Sequence, residues 1–217
     1  MFLQNKNTND YYKKIKMHLP NPEALLANMS AQIIAQLKPN TALVGIHSGG
    51  VWLMQRILQS INESNTPFNT DVHAVINKDI NKGINSDLNI SSNSVEFGTL
   101  DAALYRDDYN QRGLKSESRP SNIKFNVQDK HIILIDDIFY TGRTTRAAMN
   151  ELFDYGRPAS ITLAVLINRG GAQLPIYPQI VGAEIRITPN LNLQLTQDTH
   201  GKLLLSVDEP YLDLLTT

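Results

Sequence analysis

The chain has 217 residues, 41% of them apolar, with 20 basic against 21 acidic side chains and no cysteine. That length allows one domain of ordinary size with a substantial core, or one domain plus an appendage. Disulfides and thiolate metal sites are excluded, the net charge of −1 argues against nucleic-acid binding through bulk charge, and no apolar stretch approaches the roughly 20 residues that span a membrane.

Residues 1–20 read as a polar N-terminal arm, mildly basic at Lys13, Lys14 and Lys16. A secretory signal would be apolar there, so a cytoplasmic protein is expected. Asn21-Pro22-Glu23 predicts a helix start, with Asn as cap and Pro at the first helical position. Leu25, Leu26, Met29, Ile33 and Leu37 then recur at helical spacing and should face the core, and Pro39-Asn40 ends the element. Ala42 to Ile46 is a short apolar strand, His47-Ser48-Gly49-Gly50 a loop, and Val51 to Ser60 the next helix. Residues 69–93 carry Asn77, Asn81, Asn85, Asn89 and Asn93. Asn is a poor helix former, so an inserted surface loop is expected. Phe97 to Tyr105 returns to strand character, and Arg106 to Asn122 reads as a long functional loop. Strands are predicted again at Ser160 to Ile167, Ile180 to Ile187 and Leu203 to Val207. Strands alternating with helices imply a mainly parallel sheet covered on both faces.

The densest chemistry lies between His131 and Arg146. Ile132 to Ile135 predict a buried parallel strand, which places Asp136 and Asp137 at its carboxyl end, where open α/β sheets bind ligands. Two adjacent carboxylates can grip the vicinal hydroxyls of a ribose and stabilise positive charge at C1 as a leaving group departs. Thr141, Gly142, Arg143, Thr144 and Thr145 then offer hydroxyls and amides at the start of a helix running to about Tyr155, a setting that favours a phosphate dianion. Gly156 suits the position after that helix. An Asp pair alone is commonly a solvated turn or a helix cap; the whole string is far more specific, and it is not a Walker loop, because it lacks Gly-x-x-x-x-Gly-Lys.

Three other rim segments fit the same ligand. The backbone of His47-Ser48-Gly49-Gly50 suits a second anion, pyrophosphate, since glycines permit close approach; His47 itself fits a structural role equally well. Arg106, in Tyr105-Arg106-Asp107-Asp108, has the fork to bond two diphosphate oxygens at once. Asn168-Arg169-Gly170-Gly171 follows a buried strand and suits the wall of a base pocket. Each segment taken alone is also compatible with an ordinary turn.

Together these segments resemble the PyrR family, bifunctional pyrimidine operon regulators and uracil phosphoribosyltransferases of the type I class. The resemblance covers roughly Asn21 to Ile185. It is carried by Gly45–Gly50, Gly98–Asp101, Tyr105–Asp108, Asp136–Thr144, Gly156–Pro158, Leu163–Gly170 and Leu174–Ile176. It implies an α/β type I phosphoribosyltransferase fold, a mainly parallel sheet flanked by helices with a small hood, in a single domain over residues 1–217. It implies an enzyme in which uracil attacks C1 of phosphoribosyl pyrophosphate, giving UMP and pyrophosphate. Asp136, Asp137 and Arg106 would be catalytic, Tyr140 to Thr145 would hold the 5-phosphate, His47 to Gly50 the pyrophosphate, and Asn168, Arg169 and Gly170 the base. Mg²⁺ would be bound mostly by the substrate's own oxygens, with no dedicated metal ligands. A homodimer or larger homo-oligomer is implied, and neither membrane nor DNA is an expected partner. Better-known regulators of the family carry Thr-Arg-Gly in the pyrophosphate loop and Asp at the place of Asn168. Ser48-Gly49-Gly50 is similar to a proteobacterial branch. A competing reading is a nucleotide-sensing regulator that binds pyr mRNA with little or no enzyme activity; another is a type I enzyme acting on a purine or orotate.

Overall fold

A computed structural model describes residues 19–64, 67–68, 94–102, 120–188 and 191–208. The N-terminal arm to Lys16, the Asn69 to Asn93 stretch and the Tyr105–Asp108 segment with Arg106 lie outside the described residues.

Helix α1 spans Pro22–Ala35 and begins as its sequence predicts: the Asn21 side chain accepts a hydrogen bond from the Glu23 amide at 3.0 Å, satisfying one of the donors a helix start leaves over. Leu26, Met29 and Ile33 are buried, and Leu25 and Leu37 pack at the margin of the same core. Strand β1, Thr41–Ile46, is buried at every residue, as a strand covered on both faces must be. Helix α2 is Gly49–Glu63, longer at both ends than the predicted Val51 to Ser60. The loop expected over His47 to Gly50 therefore shrinks to His47 and Ser48.

Strand β2, Glu96–Leu100, stops short of the expected Tyr105; Asp101 and Ala102 have already left the ladder. Strands β3 (His131–Phe139) and β4 (Ser160–Asn168) are long and buried through their middles. Helix α3, Arg143–Asp154, lies between them in the chain and is followed by Gly156 at φ 142°. Strand β5 is Ile180–Glu184, shorter than the predicted Ile180 to Ile187. All four pairings in the order β2-β1-β3-β4-β5 are parallel.

Alternation of side chains along each strand divides the apolar residues between two faces. Leu43, Ile133 and Ile135 meet α1 and α2 on one face. Ala42, Val44, Ile132 and Leu134 meet Ala147, Ala148 and Leu152 of α3 on the other. Each fully buried Val, Leu or Ile among them contributes about 1.5–3 kcal/mol relative to leaving it exposed.

A second sheet, the small hood, is an antiparallel pair, β6 (Asn192–Gln197) and β7 (Leu203–Asp208). Sequence reading missed β6, although Leu193 and Leu195 are buried and alternate with polar residues, which is the period of a half-buried strand. Glu23 ties this sheet to the helices: its carboxylate accepts the Leu203 amide at 2.9 Å and pairs with Arg56 of α2 at 2.8 Å. No helix among the described residues is long and apolar enough to cross a membrane.

Candidate active site

The site begins where two strands part. Pairing of β1 with β3 ends at Gly45 and Ile135. Pairing of β3 with β4 continues through Asp136–Val165 and Ile138–Ile167 to Phe139–Asn168. Asp136 and Asp137 are thus not the end of their strand, as the sequence suggests, but lie inside it, beside β4 and beyond the reach of β1. After β1 the chain turns onto one face as α2; after β3 it turns onto the other as α3. The two turns lie on either side of the β1–β3 boundary, the switch point at which open α/β sheets take ligands.

Both carboxylates are fixed by the backbone. Asp136 is 5% exposed and accepts the Asp137 amide at 3.0 Å; Asp137 accepts the Ile138 amide at 2.9 Å. Burial pushes the Asp137 carboxyl above the usual carboxylate range, while hydrogen bonds with the Asp136 side chain and backbone amides pull the other way. Asp137 lies against the first turn of α2, where a Cβ on Gly49 would overlap its carboxylate. A Cβ on Gly50 would overlap the Ile135 carbonyl. The two glycines are therefore demanded by the approach of α2 to β3. Ser48, at the N-cap position, is exposed and makes no side-chain capping bond. The His47 amide donates to the Leu100 carbonyl at 2.9 Å, fastening the end of β1 to that of β2, and the His47–Ser48 peptide is cis.

On the opposite face, Gly142 caps α3 at φ 85°, a left-handed conformation that glycine adopts without a Cβ penalty. Its carbonyl accepts the Arg146 amide at 2.9 Å, and the Thr141 hydroxyl accepts the Arg143 amide at 3.4 Å. The amides of Arg143, Thr144 and Thr145 have no acceptor four residues back in the helix. Thr145 is only 1% exposed, so of the predicted phosphate residues its side chain faces the fold. The segment after β4 crosses this turn. Gln173 donates its amide to the Thr141 carbonyl at 3.0 Å, and its side-chain oxygen accepts two bonds from the Arg143 guanidinium at 3.3 and 3.2 Å. Gln173 carried no signal in the sequence, because only the crossing of two distant segments gives it a partner. At the end of β4, the Asn168 side-chain oxygen accepts the Gly170 amide at 3.1 Å, which leaves its NH₂ as the group able to donate. The Arg169 guanidinium lies 3.9 Å from the centre of the Tyr140 ring and donates to the carbonyls of Thr188 and Leu191.

A phosphoribosyl transferase domain matches residues 16–190. The Bifunctional protein PyrR of Pseudomonas syringae pv. tomato is 38% identical over 184 residues, covering 83% of this chain and 91% of that relative. The Bifunctional protein PyrR of Nitrosococcus oceani is 38% identical over 189 residues, again covering 83% and 91%. The chain belongs to the PyrR family of phosphoribosyltransferases. A hypoxanthine-guanine phosphoribosyltransferase from Bacillus anthracis shares the fold at a TM-score of 0.52 and 15% identity, covering 80% of this chain and 84% of that one.

In this PyrR-family chain the ends of β1, β3 and β4 bring the 47–50, 136–145 and 168–170 segments to one edge of the sheet. The end of β2 is tied to the later turns of α3 through a short network that the sequence did not announce. Ser121 accepts the Asp101 amide at 2.8 Å and donates to the Glu151 carboxylate, while Thr99 and Asn122 exchange two backbone bonds at 3.1 and 2.8 Å. Glu151 is 8% exposed, and its carboxyl is pushed up by burial against the Ser121 hydrogen bond, with Asp101 and Asp154 adding repulsion.

Proposed function

We propose that this chain transfers the ribose 5-phosphate unit of phosphoribosyl pyrophosphate to uracil, releasing pyrophosphate. The observation that carries the reading is the Asp136-Asp137 pair set between two helix starts on opposite faces, Gly49-Gly50 of α2 and Gly142-Arg143-Thr144 of α3. A ligand with a diphosphate at one end, a diol in the middle and a phosphate at the other matches that order of groups. In this reading Asp136 and Asp137 accept hydrogen bonds from the ribose hydroxyls and stabilise positive charge at C1. Tyr140 to Thr145 surround the 5-phosphate, with the first-turn amides of α3 as donors. His47 to Gly50, with Arg106, receive the departing pyrophosphate. The Asn168 NH₂ donates to a carbonyl of the base, beside Arg169 and Gly170.

The bond from C1 to pyrophosphate breaks, the bond from C1 to N1 of uracil forms, and the N1 proton leaves to solvent. Positioning and charge stabilisation do this work, with no strong general base required. Among the described residues no group of three or more His, Cys, Asp or Glu side chains is arranged to hold a metal ion. The donor set fits Mg²⁺ held by one or two carboxylates and the substrate's own oxygens; bound there, it would neutralise diphosphate charge.

The test is incubation of purified protein with phosphoribosyl pyrophosphate, Mg²⁺ and, in turn, uracil, cytosine, orotate, hypoxanthine and guanine. UMP from uracil alone is expected. No nucleotide from any base would overturn the enzyme reading in favour of a nucleotide sensor, and a purine nucleotide would overturn the assignment of the base.

A further inference from the structure

Arg169 is 7% exposed, yet among the described residues no carboxylate pairs with it, and its Nε has no hydrogen-bond partner. Its charge is met by the Tyr140 ring face at 3.9 Å and by two carbonyls on one Nη, Thr188 at 3.3 Å and Leu191 at 3.0 Å. Its own amide donates to the Phe139 carbonyl at 3.0 Å. Gly171 lies against the edge of the same ring, where a Cβ would overlap Tyr140. Thr188 and Leu191 are joined by a backbone bond of 3.1 Å and lead into β6. One planar cation thus touches two parts of the molecule. Tyr140 opens the Thr141-Gly142-Arg143 turn, and Thr188 and Leu191 precede β6 of the hood.

We infer that Arg169 is a positioning residue, a clamp that holds the 5-phosphate turn and the hood in register, and that it acts on the base only indirectly. This rests on the phosphoribosyl-transfer reading above. The geometry needs an arginine. A desolvated guanidinium stacks on an aromatic face and spreads donors in one plane, whereas an ammonium is a compact, strongly hydrated charge that does neither well. Releasing the clamp frees the Tyr140 ring and lets the following turn, whose amides meet the phosphate in this reading, drift out of place. A displacement of about 1 Å at such a turn can cost as much as about 10²-fold.

The experiment compares Arg169→Lys, Arg169→Met, Tyr140→Leu and the Arg169→Met/Tyr140→Leu double variant by two readouts. The first is the separate KM for phosphoribosyl pyrophosphate and for uracil. Each single variant should raise the donor KM about 10- to 100-fold with the uracil KM near that of the parent, and the double variant should add little to either single one, because both cut the same contact. The second is amide hydrogen exchange of substrate-free protein. Exchange should quicken together at Thr141 to Arg143 and at Leu191 to Leu193. A rise confined to the uracil KM would make Arg169 a base contact, and unchanged exchange at both segments would remove the clamp. If the parent makes no nucleotide, the enzyme reading fails while exchange still decides the clamp. If Arg169→Met does not fold, Arg169→Lys and Tyr140→Leu carry both readouts.

Discussion

Asp137 holds two requirements in tension. It is half-buried with its carboxylate against the first turn of α2, and the loss of solvent there raises its pKa, yet its proposed role is to accept hydrogen bonds and face positive charge. A group whose folded pKa lies above its unfolded value contributes stability that is fully present below the unfolded value, about 3.9 for Asp, and lost as pH rises through the folded one. Asp137→Asn removes that titration while keeping the shape and the oxygen that accepts the Ile138 amide. Two outcomes follow from the one substitution. Urea midpoints between about pH 4 and pH 8 should favour the variant increasingly as pH rises. Turnover should fall about 10²–10³-fold, the usual loss for one preorganised electrostatic group. Near-normal turnover in the folded variant would contradict the role assigned to Asp137.

The elements separate features that serve the fold from features that serve the site. Asn21 caps α1 far from the carboxylate pair, so Asn21→Ala should cost about 1 kcal/mol of stability by denaturant unfolding and leave turnover intact. Gly49 belongs to both fold and site. In Gly49→Ala the new methyl meets the Asp137 carboxylate, so stability should drop by about 1–3 kcal/mol, as for other overpacked positions, and turnover should fall with it because Asp137 is displaced. A variant that loses stability without losing turnover would detach the α2 turn from the chemistry. The contrast with Asn21 guards against reading every loss of stability as a loss of function.

The whole molecule poses the question of RNA. Relatives bear the name Bifunctional protein PyrR, and a protein that binds RNA needs basic side chains set against phosphates, each neutralised phosphate steepening the salt dependence. This chain has 20 basic against 21 acidic residues, and the segment proposed to receive pyrophosphate reads Ser48-Gly49-Gly50, without arginine. We expect recognition of a pyr leader RNA to be weak or absent at about 150 mM salt. A labelled leader titrated beside a scrambled control measures this; submicromolar binding that prefers the leader and responds to UMP would restore an RNA-binding regulator.

The sequence by itself determined the parts. The α1 start at Asn21-Pro22, the buried runs of β1, β3 and β4 and the α3 turn at Gly142 were legible because each depends on local backbone preference and short-range periodicity. So was the candidate Asp136-Asp137 pair, since a carboxylate pair between an apolar run and a hydroxyl-rich turn is a local pattern. Tertiary structure decided what those parts meet. Asp136 and Asp137 became interior strand residues only because β4 runs on past the end of β1. Gly49 and Gly50 are required in the first turn of α2 because β3 approaches there too closely for a Cβ. Gln173 reached Arg143, and Arg169 turned to Tyr140, Thr188 and Leu191, through crossings of segments distant in the chain. Strand pairing and burial act between residues brought together by the fold, and no local preference encodes which pairs those are.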